Sequence, residues 1–243
     1  MKDFPRIKVM GEKAILIEFR PEISEDLLQF LLFYKKLLQE NFIEQKVEIT
    51  NTYTSLLIIY NIDIENIYSE VFGIKQLLDR ANIGKKVNYN LFHLPVCYDH
   101  EFGLDLEIIS DEKKLSVEEI ITLHTTPVYT VFFIGFLPGF LYLGGLDKRL
   151  QIPRKITPRS RVEKGAVGIG ENQTGIYPKS SPGGWQIIGN SPIEIFDKNG
   201  VPPCLISAGD KIKFYPVPRE EYERIKILAS VGKFQIKTER YDG

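Results

Sequence analysis

What this sequence has least of sets its first bounds. Cysteine occurs only at Cys97 and Cys204, too sparse and too scattered for a disulfide framework or a zinc site. No run approaches the about 18 consecutive apolar residues that a membrane-crossing helix requires. Neither charge is in excess: 31 basic and 32 acidic residues leave a net −1, where a nucleic-acid binder would show a strongly basic domain. The opening Met1-Lys2-Asp3-Phe4-Pro5-Arg6 lacks a cationic segment leading into an apolar one, so no secretory signal is expected and the chain reads as cytoplasmic. Familiar catalytic signatures are missing too. There is no GxxxxGK[ST] phosphate loop, no GxSxG elbow, no HExxH and no CxxC. Gly165-Ala166-Val167-Gly168-Ile169-Gly170 reverses the dinucleotide spacing, and no metal ligand set is expected.

Glycine and proline, by contrast, are concentrated. Of 19 glycines, 11 lie between Gly135 and Gly189, together with five prolines. Such density ordinarily means turns or disorder. Here Phe136, Phe140, Tyr142, Tyr177 and Trp185 are threaded through it, with Ile187 and Ile188. Fixing one backbone residue costs about 1–2 kcal/mol, and glycine loses the most freedom. A buried ring removes on the order of 150–250 Å2 from water, at about 25 cal/mol per Å2. The stretch therefore reads as ordered loops pinned by their rings to a rigid core, a common place for binding and catalysis.

Charge follows the same ribbon. From Gly135 to Trp185 there are eight basic residues and three acidic ones. Arg154, Arg159 and Arg161 sit on proline-stiffened backbone, and each offers a planar fork suited to carboxylate or phosphate. A solvated basic surface is the alternative. Ser180-Ser181-Pro182-Gly183-Gly184 fits either a nest of N–H groups for an anion or a tight turn leading into a Trp185 strand. Gln173, Thr174 and Tyr177 form a polar-aromatic set able to hold a small amide. His124 ends a helix opened by a Ser116–Glu119 capping box. It is open to three readings: general acid–base, phosphate contact or C-terminal cap.

Periodicity supplies the expected elements. Strands over Ile7–Gly11 and Ala14–Phe19 precede a helix capped by Ser24, with Leu27, Leu28, Leu31, Leu32 and Leu38 as core. A strand pair over Lys46–Thr50 and Ser55–Tyr60, a helix over Ile64–Ala81 stopped by Gly84, and a strand over Val87–Tyr98 follow. That order predicts an α+β sandwich, two helices on one face of an antiparallel sheet. Asp99–Thr126 is a connector with helical pieces at Leu104–Ile109 and from Ser116. Strands over Val128–Phe133, Gly165–Gly170, Trp185–Ile188, Ile193–Phe196 and Lys211–Tyr215 predict a mainly-β closed barrel or sandwich. Arg219–Ala229 is a last helix or a frayed tail.

Three runs carry a resemblance: Phe133-Ile134-Gly135-Phe136-Leu137-Pro138-Gly139-Phe140-Leu141-Tyr142-Leu143-Gly144-Gly145-Leu146, Gln173-Thr174-Gly175-Ile176-Tyr177-Pro178 and Ser181-Pro182-Gly183-Gly184-Trp185. With Arg154, Pro158-Arg159 and Val162 they resemble the allophanate hydrolase subunit 1 (KipI) family, over about Ile7 to Pro216. Glu171-Asn172 and Asn190 depart from its pattern. The resemblance implies an α+β domain over residues 1–88 and a cyclophilin-like β-barrel domain over residues 89–243. It also implies a share in an ATP-dependent 5-oxoprolinase, in which two further components, designated C and A, act with it to open the lactam to glutamate. ATP would bind elsewhere in that complex, and the chain alone would be inactive. Two other family activities are the alternatives: inhibition of a sensor histidine kinase, and a carboxyltransferase-like role in urea amidolyase. For a site at the barrel junction the expectation is that Arg154, Arg159 and Arg161 neutralise a small anion, with Gln173, Thr174, Ser180, Ser181, Gly183 and Gly184 around it. His124 or Tyr177 would move the proton. Phe136, Pro138, Phe140 and Tyr142 would form a hydrophobic rim for a partner.

Overall fold

Burial with a period of two builds the first sheet: in β2 (Ala14–Glu18) Ile15 and Ile17 are buried and their neighbours are not. The structure is a computed structural model that describes residues 4–41, 47–80 and 89–241. Its contacts gather into two compact units, Met1–Val87 and Asn88–Gly243. In the first, β1 (Arg6–Val9), β2, β3 (Glu48–Asn51) and β4 (Ser55–Ile59) form an antiparallel sheet in the order β1-β2-β4-β3. Helix α1 (Glu25–Asn41) buries Leu28, Leu31, Tyr34 and Leu38 at intervals of three and four. Of these, Leu31, Tyr34 and Leu38 meet Ile15, Ile17, Leu56 and Ile58 in one core, to which α2 (Ile67–Arg80) adds Ile74. Expected Lys46, Ala81, Gly84 and Val87 lie outside the described residues.

The second unit begins with β5 (Tyr89–Val96), α3 (Leu106–Lys113) and α4 (Val117–Thr125). The predicted capping box is present: Ser116 Oγ accepts from the Glu119 N–H, and Glu119 accepts from the Ser116 N–H. After these come β6 (Tyr129–Ile134), β7 (Leu141–Gly144), β8 (Arg159–Val162), β9 (Ala166–Gly170), β10 (Gln173–Ile176), β11 (Ser181–Gly183), β12 (Gln186–Asn190), β13 (Lys211–Pro216), α5 (Arg219–Ser230) and β14 (Thr238–Tyr241). Eight strands form a mixed sheet, β12-β9-β10-β7-β6-β13-β5-β14, in which β13 and β5 run parallel. The glycine ribbon read as loops thus contains β7, β8, β10 and β11 as well as the expected β9 and β12. Ile193–Phe196 is not a strand; only Phe196 bridges, to Cys204. The tail forms β14 along the edge of β5.

This sheet closes on itself. Just past β5, the Cys97 and Asn190 backbones exchange two N–H···O bonds of 2.9 Å each, joining β5 to β12. Glycine is required beside that seam, because a Cβ on Gly189 would lie 2.7 Å from the Cys97 carbonyl oxygen. The remaining edge of β12 is satisfied by a single residue, Asp105. Its N–H donates to the Ile187 carbonyl at 2.8 Å, and its Oδ2 accepts the Ile187 N–H at 2.6 Å. Asp105 stands at the N-cap of α3, yet its side chain makes no capping bond. Arg159 instead donates to both carboxylate oxygens at 2.8 and 2.7 Å, and Lys155 donates at 3.1 Å.

Asp105 is fully buried. Burial alone would raise its pKa, but the Arg159, Ile187 and Lys155 hydrogen bonds outweigh it and hold the carboxyl below the usual range. Asp105→Ala would leave two cations and a buried N–H without their acceptor. The expected loss is about 3–5 kcal/mol, the cost of removing one member of a buried pair. Urea titration checks it, and an unchanged midpoint would remove Asp105 from the seam.

Candidate functional site

The cleft is built on missing side chains. Gly168 of β9 lies directly opposite Gly175 of β10. A Cβ on Gly170 would stand 2.7 Å from Trp185 Nε1, and one on Gly175 would stand 3.1 Å from the Trp185 ring. The indole therefore rests on bare backbone. Phe140 stands at the centre of the rings, edge-on to Tyr177 at 5.1 Å and 87° and to Trp185 at 5.3 Å and 87°. Phe136 also meets it edge-on, at 5.7 Å and 88°, while Tyr142 lies tilted against it at 4.9 Å and 56°. Such edge-to-face geometry adds about 0.5–1.5 kcal/mol per pair beyond burial. A cavity of about 250 Å3 opens over these rings, with Arg154, Pro158 and Pro182 at its margin.

Arg154 has its guanidinium carbon 5.7 Å from the Trp185 ring centre. Its Nε lies 3.8 Å from Glu171 Oε1, both side chains about half exposed. That pair is loose and solvent-screened, so Arg154 can turn to an incoming anion. Burial pushes the Tyr142 and Tyr177 phenols up, against the opposing pull of Arg154. Both therefore stay protonated at neutral pH and offer O–H donors. The arrangement suits a small planar guest with one anionic group.

The other expected residues divide. Gly183 and Gly184 line the cleft. Arg159 does not share it as a free cation, because Asp105 holds it. Arg161 points into solvent, 2.7 Å from Glu163. The expected three-arginine cluster is thus not brought together. Ser181 lies in β11, paired with β8, and its hydroxyl donates to the Pro182 carbonyl at 3.1 Å. Strand pairing excludes the nest and the tight turn alike, and Ser180 is exposed beside it. Of the expected hydrophobic rim, Phe136 is 62% exposed and Pro138 is exposed, whereas Phe140 is buried as the hub of the cluster.

His124 lies apart from the cleft. It is fully buried and stacks on Phe214 at 4.8 Å. The Thr174 hydroxyl donates to the Gly168 carbonyl at 2.9 Å, so it must accept from His124 Nε2–H, also at 2.9 Å. That leaves Nδ1 to accept from the Tyr98 hydroxyl at 2.7 Å. Every polar atom of the ring is used, and burial depresses its pKa to about 3. This corrects the three readings of His124: it neither caps its helix nor meets an anion, and it has no route to a substrate proton. Thr174 belongs to the same buried chain. Gln173 is buried, with its Oε1 unpartnered, and does not line the cleft.

Asp105 is what sequence reasoning missed, while Pro158 and Pro182, named there only within motifs, also line the cleft. Asp105 carried only a helix-start signal, while its partners lie 50 to 82 residues away. Among the described residues, no three or more His, Cys, Asp or Glu side chains are placed to hold a metal ion. None of the described helices is long and apolar enough to cross a membrane.

These features define a closed β-barrel whose glycine-backed aromatic cleft carries an arginine at its margin. The chain belongs to the family described as carboxyltransferase domain, subdomain C and D, whose profile matches residues 5–206. It is 36% identical over 233 residues to the B component of the 5-oxoprolinase of Bacillus subtilis (strain 168), covering 91% of this chain and 96% of that protein. A conserved uncharacterized protein from Pyrococcus horikoshii is 40% identical, covers 89% of this chain and all of its own, and superposes with a TM-score of 0.53. The K. lactis urea amidolyase structure superposes at 0.80 over 97% of this chain at 22% identity, with this chain matching 16% of it. That last likeness concerns the fold alone.

Two outcomes follow from the packing. Gly170→Ala pushes a methyl into Trp185, the one tryptophan of the chain, and should cost about 1–3 kcal/mol while shifting its emission maximum to the red. An unshifted spectrum would mean that the indole does not rest there. His124 has a folded pKa below its unfolded value of 6.5, so the folded state binds fewer protons. Its stabilising contribution is complete above pH 6.5 and is lost as pH falls towards 3, by up to about 5 kcal/mol. Urea midpoints across that range should fall steeply in the wild type and less steeply in His124→Gln.

Proposed function

We propose that this chain is the B component of an ATP-dependent 5-oxoprolinase, opening the 5-oxoproline lactam to glutamate together with the A and C components. The observation that carries the reading is the end-to-end match to the Bacillus subtilis protein, 91% of one chain on 96% of the other. The cleft supports it chemically. 5-Oxoproline is a small ring bearing one carboxylate and one lactam carbonyl. The carboxylate pairs with Arg154, the ring lies against Trp185 and Tyr142, and a neutral Tyr177 or Tyr142 hydroxyl donates to the carbonyl. His124 takes no part, being sealed in the core.

ATP has no fitting cradle in this chain's glycine stretch. Gly168 and Gly170 lie within a fully buried strand, facing Trp185 rather than a phosphate. In this reading nucleotide chemistry belongs to a partner, and the isolated chain is inactive. The second unit is then a cyclophilin-like barrel, and exposed Phe136 and Pro138 mark the side of the cleft that a partner covers. The complex is a cytoplasmic one.

Reconstitution with both partners tests this, following glutamate release from 5-oxoproline. Arg154→Ala should lower kcat/KM by about 10- to 100-fold, the loss of one charge-assisted contact. Failure of the chain to assemble with the A and C components, or full activity in Arg154→Ala, would overturn it.

A further inference from the structure

The connection between β6 and β7 passes twice through backbone that side chains disfavour. At one of these positions, Gly139, φ is +85° and the residue is a glycine, whose missing Cβ would collide with the Phe196 side chain. At the other, Phe136, φ is +65° and the residue is a phenylalanine. Across it the Leu137 N–H donates to the Gly135 carbonyl at 2.7 Å, closing a three-residue γ-turn. A γ-turn with positive φ at its centre is rare and strained, and a bulky residue there is an outlier. The turn is held from both ends. Gly135 N–H donates to the Phe140 carbonyl at 3.2 Å, and Phe140 N–H donates to the Leu137 carbonyl at 3.0 Å. Glycine would adopt the same backbone without strain.

What the strain achieves is the placing of one ring. Phe136 lines the aromatic cleft, whereas exposed Pro138 does not. The other rings of the cleft are set by packing: Phe140, Tyr177 and Trp185 are buried, and Tyr142 is half-buried. Phe136 stays 62% exposed and meets that cluster edge-on through Phe140. One such contact returns about as much as the backbone strain costs, so the folded chain gains little here over glycine. A strained side chain that lines a cleft, and that the core does not need, acts on what enters the cleft.

We infer that Phe136 is a specificity-determining residue of the cleft, an apolar wall that limits the size of the ring a guest can carry. The inference rests on the reading of this cleft as the 5-oxoproline site. With the carboxylate anchored at Arg154, any added ring carbon has to fit inside the cavity of about 250 Å3 that Phe136 bounds. A wall selects only where it does not retreat, and the bonded γ-turn fixes the backbone from which this ring projects. One methylene too many against such a wall is worth on the order of 10- to 200-fold in kcat/KM.

The complex reconstituted with the A and C components tests this on 5-oxoproline and its six-membered homologue, 6-oxopiperidine-2-carboxylate. The wild type should prefer the smaller lactam by at least about 10-fold in kcat/KM. Phe136→Gly and Phe136→Ala should each reduce that preference by at least about 5-fold with assembly unchanged, and Phe136→Tyr should keep it. Urea titration of the chain separates the ring from the turn. Both truncations lose the ring but only glycine relieves the backbone, so the Phe136→Gly midpoint should lie above that of Phe136→Ala. Full preference in both truncations, or an alanine midpoint equal to or above the glycine one, would overturn the inference alone. Truncations that no longer assemble would assign the ring to the partner and overturn it as well. A wild-type complex inert towards 5-oxoproline would overturn the reading of function, and this inference with it.

Discussion

One buried carboxylate organises the second unit. Asp105 finishes the free edge of β12 through Ile187 and in the same stroke fixes Arg159 and Lys155. A lone charge at that depth would be intolerable, so the two cations are as necessary as the acid. Their capture has a consequence for the cleft. Lys155 donates its N–H to the Gly184 carbonyl at 2.7 Å, and Gln186 Nε2 donates to the Pro153 carbonyl at 3.1 Å. Both bonds flank Arg154. The loop that carries it is thus stapled to the stretch that carries Trp185, and the guanidinium lies over the indole because Asp105 holds the residues beyond it. Charge that the sequence spreads over three arginines is therefore divided by the fold: Arg159 maintains structure, Arg161 is solvated, and Arg154 faces the cleft.

The glycines serve a second constraint, which is thickness. A ring laid flat on a sheet needs the Cβ atoms beneath it removed, and β9 and β10 remove them at paired positions. Tyr177 likewise fits because Gly183 offers no side chain to its hydroxyl. The entropy lost in ordering so much glycine is offset by rings that interlock rather than by turns. The cluster is accordingly a second small core of Phe140, Val162, Ala166, Tyr177, Trp185 and Ile187, distinct from the large one inside the barrel.

What was legible in the sequence was local. The Ser116–Glu119 box is a spacing of three residues and appears as read; Ala14–Glu18 was legible as a strand, but its burial with a period of two was not, because apolar residues stand on both faces. The leucines of α1 were legible by their spacing. Strands β9 and β12 were read from their aliphatic runs, but β10, equally buried at every position, shows no alternation to betray it and was taken with the loops. Strand β14 was missed for the opposite reason, since an edge strand of Thr238, Glu239, Arg240 and Tyr241 is nearly all exposed. The cleft's aromatics and Arg154 could be named from composition, but not which rings face outward. Asp105 and His124 were beyond reach, because what each does is set by partners far away in the chain.

The two sides of the β9–β10 hairpin are not independent. Side chains alternate across a strand, so Thr174 faces the barrel interior while Gly175 and Gly168 face Trp185. The Thr174 hydroxyl is bonded to the carbonyl of Gly168 itself, and its orientation is set by the Nε2–H of a neutral His124. Were that ring protonated, Nδ1 would become a donor and could no longer accept from Tyr98, and the chain from Tyr98 to Gly168 would lose its direction. The backbone on which the indole rests is held from behind by this chain. His124 thus belongs to the cleft's foundation, and its low proton affinity keeps that foundation in one arrangement across the range where proteins ordinarily work.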